Sequence, residues 1–177
     1  NTFALSTNGS LLITGGTDGL ARITQTNRRN ATPLLVDHGV EIQCLAMSAD
    51  HSMLAIGDVN SRTTIHYIPA QGPRLAASHA PITSTKRIPI EVKDAAKTAL
   101  LSLQFSPDGT KLLVLHDGKA ASVFDTQEGE LLYALRHSRG LLNAVFSNDG
   151  AHILSSSRDG TAIWWDAATG SATGIEA

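Results

Sequence analysis

The sequence has little of the chemistry that marks several large protein classes. Its 177 residues include one cysteine, which excludes an internal disulfide framework, a zinc ribbon and a CxxC redox pair. Fourteen basic residues stand against 16 acidic ones, which argues against a nucleic-acid binder or a polybasic membrane anchor. No apolar run approaches the roughly 20 residues of a membrane-spanning helix, and no basic-then-apolar leader opens the chain. We therefore expect a soluble, cytoplasmic chain with no nucleic-acid or membrane partner.

The common catalytic and metal-binding motifs are also missing. The seven histidines are dispersed, without an HExxH motif or a pair at the i, i+4 spacing of a helical metal site. No GxSxG nucleophile elbow is present. The sequence predicts no catalytic residue, no metal and no cofactor.

One short pattern occurs four times along the chain, at residues 3–9, 45–51, 103–109 and 144–150. The four copies align on Ser6, Ser48, Ser106 and Ser147. These serines are 42, 58 and 41 residues apart, and two of the separations match the roughly 40–45-residue period of a four-stranded propeller blade. Within the units, short β-prone runs are separated by turns, some with the Asp-Gly pair that signals a hairpin. The repeat predicts an all-β chain.

The last unit carries four polar and aromatic residues at characteristic spacings: His137, Ser155, Asp159 and Trp165. With the dipeptide Trp165-Asp166, this set resembles the WD-repeat family of β-propellers. In that family, a His on the loop entering a blade, a Ser or Thr, an Asp and a Trp form one hydrogen-bonded set. The residue types would also suit a catalytic Asp-His-Ser relay. Because the blade pattern accounts for all of these positions, the structural interpretation is preferred.

The resemblance is weaker in the other units. His38 lies 10 residues before Ser48, as His137 lies before Ser147, so the second unit keeps the histidine. The first unit keeps Thr14 and Asp18. The second unit is expected to have Ile56, Asn60 and Tyr67 at the Ser, Asp and Trp places, and the third has Ala96 and Leu115 at the His and Ser places.

The resemblance implies one propeller segment over residues 1–177, an all-β fold of about four four-stranded antiparallel blades. The units are approximately 1–37, 38–79, 98–136 and 137–177, with an insertion at 80–97. WD-repeat rings most often have about seven blades, and an open arc leaves apolar faces and strand edges in water. We therefore expect completion by further blades, from the same or another chain; a compact four-bladed ring is the alternative. Trp164 is expected to pack between neighbouring blades.

The resemblance also implies a rigid, non-catalytic scaffold or sensor region for a protein or peptide, which binds on the face formed by the loops between blades. The candidate partner-binding residues are Lys86, Arg87, Lys93, Arg139, Arg158 and Thr17. The first three lie in the insertion, expected to be a long basic connection; residues 88–92 either pair with a strand edge or belong to a solvated excursion. Two alternatives are open: a propeller-type hydrolase with its site on the central channel, and docking of the basic loop on an acidic surface.

Overall fold

The structure is a computed structural model that describes residues 2–28, 32–68, 87–90 and 99–176. These residues form sixteen β-strands and no helix, so the described part of the chain contains no helix that could cross a membrane. In chain order the strands are β1 (Thr2–Leu5), β2 (Leu11–Gly15), β3 (Leu20–Gln25), β4 (Leu34–Asp37), β5 (Ile42–Met47), β6 (Met53–Asp58), β7 (Thr63–Tyr67), β8 (Arg87–Ile90), β9 (Leu100–Phe105), β10 (Lys111–His116), β11 (Ala120–Asp125), β12 (Leu131–Arg136), β13 (Leu141–Phe146), β14 (His152–Ser157), β15 (Ala162–Asp166) and β16 (Ala172–Glu176).

Each group of four consecutive strands forms one antiparallel sheet, with the strands paired in chain order. We number the sheets blade 1 (β1–β4), blade 2 (β5–β8), blade 3 (β9–β12) and blade 4 (β13–β16). The first strands of neighbouring blades contact one another in the series β1, β5, β9 and β13. These observations confirm the all-β class and the four four-stranded antiparallel blades.

The serine shared by the four units holds the turn between the first and second strands of its blade. In blade 3, the Ser106 hydroxyl donates to Asp108 Oδ1 at 2.5 Å, and Ser106 Oγ accepts the Lys111 N–H at 2.9 Å. Gly109 sits in this turn at φ 73°, where a side chain would be strained. Ser6, Ser48 and Ser147 make the equivalent bonds, with Asn8, Asp50 and Asp149 as acceptors. The repeat visible in the sequence is therefore the hydrogen-bond pattern of a turn.

The apolar core lies between the blades. Ile13 and Val36 of blade 1 belong to one buried cluster with Leu54 of blade 2. Ile65 of blade 2 is buried in a second cluster with Phe124 of blade 3. A third cluster joins blades 3 and 4, with Val123, Leu135, Ile153 and Trp165 among its members. Because each fully buried Leu, Ile or Phe contributes about 1.5–3 kcal/mol, these clusters hold the blades in series.

Two blade faces are left without a neighbour in the described structure, and we call them the free faces. On blade 1, Phe3 and Leu5 are 72% and 60% exposed. On blade 4, Trp164 is 37% exposed, and its ring meets that of His152 edge-on. Blade 3 packs on the opposite side of this sheet, against Trp165, so the expected packing of Trp164 between two blades stays a prediction.

The fourth strand of blade 2 lies inside the stretch that was expected to be a connection. Strand β8 pairs with β7, and its Ile88 and Ile90 are buried while Arg87 and Pro89 are exposed. Proline has no N–H to donate, so it is tolerated here because β8 is an edge strand. Residues 87–90 thus pair with an edge of their own sheet. The rest of the insertion, with Lys86 and Lys93, lies outside the described residues.

Candidate functional site

Blade 4 contains a chain of hydrogen bonds that joins the four residues of the predicted set; we call it the blade 4 clasp. The Trp165 Nε1–H donates to Ser155 Oγ at 2.7 Å, and the same oxygen lies 2.7 Å from His137 Nε2. Because Ser155 Oγ accepts from the indole, its own hydrogen is free to point to the imidazole. His137 Nε2 is then the acceptor, which places the proton of the neutral ring on Nδ1.

The other side of the His137 ring leads to a carboxylate. Nδ1 lies 3.2 Å from Thr161 Oγ1 and 3.4 Å from Asp159 Oδ2, and the Thr161 hydroxyl donates to Asp159 Oδ1 at 2.6 Å. The backbone N–H and the hydroxyl of Ser138 also donate to Asp159 Oδ2. These donors, the Thr161 hydroxyl first, hold the pKa of Asp159 well below its usual range. The clasp therefore ends on a carboxylate that stays charged.

Thr161 was missed in the sequence analysis, although a local signal marked it. It stands two residues after Asp159 and donates to it, as Thr110 stands two residues after Asp108 and donates to that carboxylate. A hydroxyl residue two positions after an aspartate is the pattern of a side chain that closes its own turn.

The blade 4 clasp is arranged to fasten the fold. Ser155 is 1% exposed, and its oxygen is engaged by the indole on one side and the imidazole on the other. A serine nucleophile needs an open approach to its oxygen, which this arrangement does not provide. Linked polar groups of this kind satisfy one another and define the position of the loop that enters the blade.

The polar residues that meet in blade 2 differ from those expected. His66, not Tyr67, stands at the place of Trp165, because His66 pairs with Leu54 in the ladder as Trp165 pairs with Ile153. Asp58 takes the carboxylate role expected near Asn60: its Oδ2 lies 3.5 Å from His38 Nε2, and its Oδ1 accepts the Asn60 N–H at 2.8 Å. We call His38, His66 and Asp58 the blade 2 cluster.

The two residues expected to belong to a clasp in blade 1 have other surroundings. The Asp18 carboxylate forms an ion pair with the Arg22 guanidinium, and this bond is the largest cause of the lowered pKa of Asp18. Thr14 is half-buried and pairs with Arg22 on one side and with Phe3 on the other. It therefore lies on the free face of blade 1.

Three of the candidate partner-binding residues, Thr17, Arg139 and Arg158, are exposed and lie at one end of the blades. This end carries the β4–β5 and β12–β13 connections and the turns between the second and third strands; we call it the loop face. Arg139 and Arg158 lie on adjacent segments, since the Arg158 N–H donates to Gly140 O at 2.9 Å. Arg87 is engaged elsewhere, because its guanidinium donates to Asp37 O at 2.6 Å and so ties blade 2 to blade 1.

The loop face also presents apolar side chains that the sequence analysis did not identify. Blades 2, 3 and 4 each have a β-bulge at the second residue of the first strand, which skips Gln43, Leu101 and Leu142 in the ladder. Leu101 and Leu142 are 46% and 56% exposed, and Val59, in the β6–β7 turn, is 48% exposed. A bulge re-aims a side chain out of the sheet, so these positions are directed to the solvent on a rigid support.

At the opposite end of the blades, a cavity of about 500 Å³ lies between the first strands. Its lining is apolar or neutral, with Met47, Gln104, Phe105 and Phe146 among the larger side chains. No Asp, Glu, His, Lys or Arg belongs to this lining, and the described residues include no group of three His, Cys, Asp or Glu side chains that could hold a metal ion.

Comparison with protein families identifies the last unit. Residues 129–166 match the family model described as WD domain, G-beta repeat. This match spans the blade 4 clasp from His137 to Trp165 and confirms the resemblance seen in the sequence. The segment that is similar to a WD40 repeat thus covers β12 to β15, within a set of four four-stranded antiparallel sheets. No curated protein matches the chain significantly.

Proposed function

We propose that the chain is a non-catalytic scaffold or sensor region that binds a protein or peptide on its loop face. The WD40 repeat at residues 129–166 supports this function, because repeats of this family generally mediate protein–protein interactions. Stacked sheets hold the loops in constant positions, so that residues from several blades form one composite surface.

The observation that carries the proposal is the series of bulges on the loop face. Leu101 and Leu142 occupy corresponding positions on the neighbouring strands β9 and β13, and both are about half exposed. An exposed leucine loses the free energy of burial, and repeated exposure at one place marks an interaction site. Arg139 lies three residues before Leu142, and the Arg158 N–H donates to Gly140 O beside it, so the two arginines supply a polar rim, as in known interfaces.

The composition of this surface suits a peptide of defined chemistry. Leucine side chains at the centre would bury apolar side chains of the partner, and the two arginines would bind carboxylates beside them. We therefore infer a peptide segment with an apolar centre and acidic flanks.

Peptide display against the full chain tests this proposal. Selected peptides should have an apolar centre with acidic flanks, and they should lose at least about tenfold in affinity for the variant Leu101→Glu/Leu142→Glu. The matched control is Leu131→Glu/Leu132→Glu, which alters two leucines of β12 that are 51% and 46% exposed. Loss of binding in the control, or unchanged binding by the loop-face variant, would contradict the proposal.

We also propose that further blades, from the same or another chain, cover the two free faces. Phe3 and Leu5 on blade 1 and Trp164 on blade 4 support this, because the equivalent faces between blades 1 to 4 are buried in apolar clusters. Burial of these side chains would remove apolar surface from water and protect the edge of the arc.

We also propose that the chain is cytoplasmic. Its one cysteine, Cys44, is a buried free thiol, and burial raises its pKa to about 12. A reduced, unreactive thiol is typical of a reducing compartment.

A further inference from the structure

The blade 2 cluster buries two ionisable rings against each other. His66 is 0% exposed, and its Nε2 lies 3.2 Å from His38 Nδ1. His66 stands on the same side of its sheet as Leu54, which is buried in the cluster between blades 1 and 2. In blade 4, the hydroxyl groups of Ser155 and Thr161 face the histidine of the clasp. The described residues of blade 2 have no counterpart of these two hydroxyl groups that could take a proton.

The two rings have places for two protons and no more. One proton lies on His38 Nε2, which faces the Asp58 carboxylate at 3.5 Å. The second lies between His38 Nδ1 and His66 Nε2, where one nitrogen must donate and the other accept. The remaining nitrogen, His66 Nδ1, is buried and has no hydrogen-bond partner among the described residues. With two neutral rings, one N–H lies between the rings, and the other, on His38 Nε2, faces the Asp58 carboxylate at an ion-pair distance but without a hydrogen bond.

A third proton has no acceptable position. On His66 Nδ1 it would create a buried donor without an acceptor, and between the rings it would set two N–H groups against each other. An unsatisfied buried donor costs about 1–3 kcal/mol, and a buried positive charge costs more.

Charged groups on every neighbouring strand act on this pair. Asp58 at the end of β6 and Asp37 at the end of β4 favour protonation, while Arg87 of β8 opposes it. The Cys44 thiol of β5 also lies within the field of Asp58 but stays neutral. Burial is the largest effect on both rings: it lowers the pKa of His38, and it lowers the pKa of His66 to about 4.

We propose that the His38–His66 pair is an acid-sensitive switch. When both rings are neutral, the pair holds blade 2 and the loop that enters it together. When a third proton binds, this contact opens. The loop that carries His38 continues to Glu41, whose carbonyl accepts the Val59 N–H at 3.2 Å. Opening of the His38–His66 contact therefore also disturbs one edge of the loop face.

The direction of the pH dependence follows from the number of protons that the folded state and the opened state bind. Histidine in the unfolded or opened state has a pKa near 6.5, above that of buried His66. The opened state then binds more protons, so the stability from the neutral pair is complete above about pH 6.5 and is lost as the pH falls toward 4. For His66 alone, opening should become roughly ten- to thirtyfold more favourable between pH 7.5 and pH 5.

Hydrogen exchange of the full chain, corrected for the intrinsic pH dependence of exchange, tests the proposal. Amides of β6 and β7 should lose protection about ten- to thirtyfold between pH 7.5 and pH 5. The variant His66→Phe should remove the part of this loss that is due to His66, and phenylalanine is accepted at the equivalent place of blade 3, where Phe124 pairs with Leu112. The control His152→Gln changes an exposed histidine of blade 4 and should keep the loss. A loss of the same size in His66→Phe as in the unaltered chain would overturn the proposal.

A second measurement needs no variant. In an NMR titration of the unaltered chain, the His66 ring should remain neutral at pH 5 while most of the chain is still folded. A His66 ring that takes up a proton near pH 6.5, with β6 and β7 equally protected on both sides of that pH, would show that the cluster accepts the third proton without opening.

Discussion

His137 Nε2 and Trp165 Nε1 both lie 2.7 Å from the single hydroxyl oxygen of Ser155. Two buried rings, one from the β12–β13 loop and one from β15, thus depend on one oxygen atom of β14. Such a shared partner couples the loop to the two strands, because neither ring can satisfy its nitrogen if the oxygen is removed.

Replacement of this hydroxyl should be costly. Ser155→Ala leaves both the His137 and the Trp165 nitrogens buried without a partner, so we expect a loss of about 1–3 kcal/mol in the free energy of unfolding. Urea denaturation measures it. Ser156→Ala, at the next and half-buried position of β14, is the matched control and should change stability by less than about 0.5 kcal/mol. Equal losses in the two variants would contradict a coupling role for Ser155.

The turn carboxylates predict an acid dependence. The Ser106 hydroxyl, first among its donors, lowers the pKa of Asp108. A carboxyl with a lowered pKa in the folded state contributes stability above the pKa of the unfolded chain, near 3.9, and loses it as the pH falls through the folded value. Asp108→Asn keeps an acceptor, as Asn8 does in blade 1. We expect it to reduce the difference in unfolding free energy between pH 6 and pH 3, by less than about 1 kcal/mol because the side chain is exposed.

The control for this experiment is Asp117→Asn, which alters another exposed aspartate of blade 3. An identical change in acid dependence for the two variants would show that net charge, not the turn bond to Ser106, is responsible.

Close packing between blades 2 and 3 depends on a glycine. A Cβ at Gly57 would lie 2.2 Å from Leu100 Cδ2 and 2.6 Å from Cys44 Sγ. Gly57→Ala should therefore lower stability by about 1–3 kcal/mol, as measured by thermal unfolding. Around Gly118 a Cβ would meet nothing within 4 Å, so Gly118→Ala should leave the melting temperature nearly unchanged. A Gly57→Ala chain that melts like its Gly118→Ala counterpart would show that the blades can separate without cost.

The free faces predict self-association when no further blades cover them. Phe3, Leu5 and Trp164 are 72%, 60% and 37% exposed, and apolar patches of this kind associate in water. Sedimentation velocity should show mass rising with concentration, and Phe3→Ser/Leu5→Ser/Trp164→Ser should shift the association to higher concentrations. The control variant Leu131→Ser/Leu132→Ser, on the outer strand of blade 3, should leave the association unchanged. A monomer at all concentrations would argue against the open arc.

The repeat, the strand order and the blade 4 clasp could be predicted because their signals are local or occur at regular spacings. The bonds of Ser106 to Asp108 and Lys111 all lie within one turn. The turn can therefore be predicted from the same neighbouring residues that form it. His137, Ser155 and Trp165 are farther apart, but their spacing is the same in the family pattern, and the structure brings them together.

Register was harder to predict. Tyr67 and His66 are adjacent, and neighbouring residues of a strand point to opposite faces, so a shift of one position exchanged a half-buried tyrosine for a fully buried histidine. Strand β8 was hidden for a different reason, because Pro89 and the charged residues around it are typical of a connection.

The amino-acid sequence by itself determined the kind of unit this protein is built from, since turn and strand preferences depend on residues within a few positions of one another. The tertiary structure decided which side chains meet across strands and blades. Only the pairing of Leu54 with His66 places two imidazoles in contact, and only the bulges direct Leu101 and Leu142 to the solvent. These outcomes depend on the register between segments that are distant in the chain, which no local preference specifies.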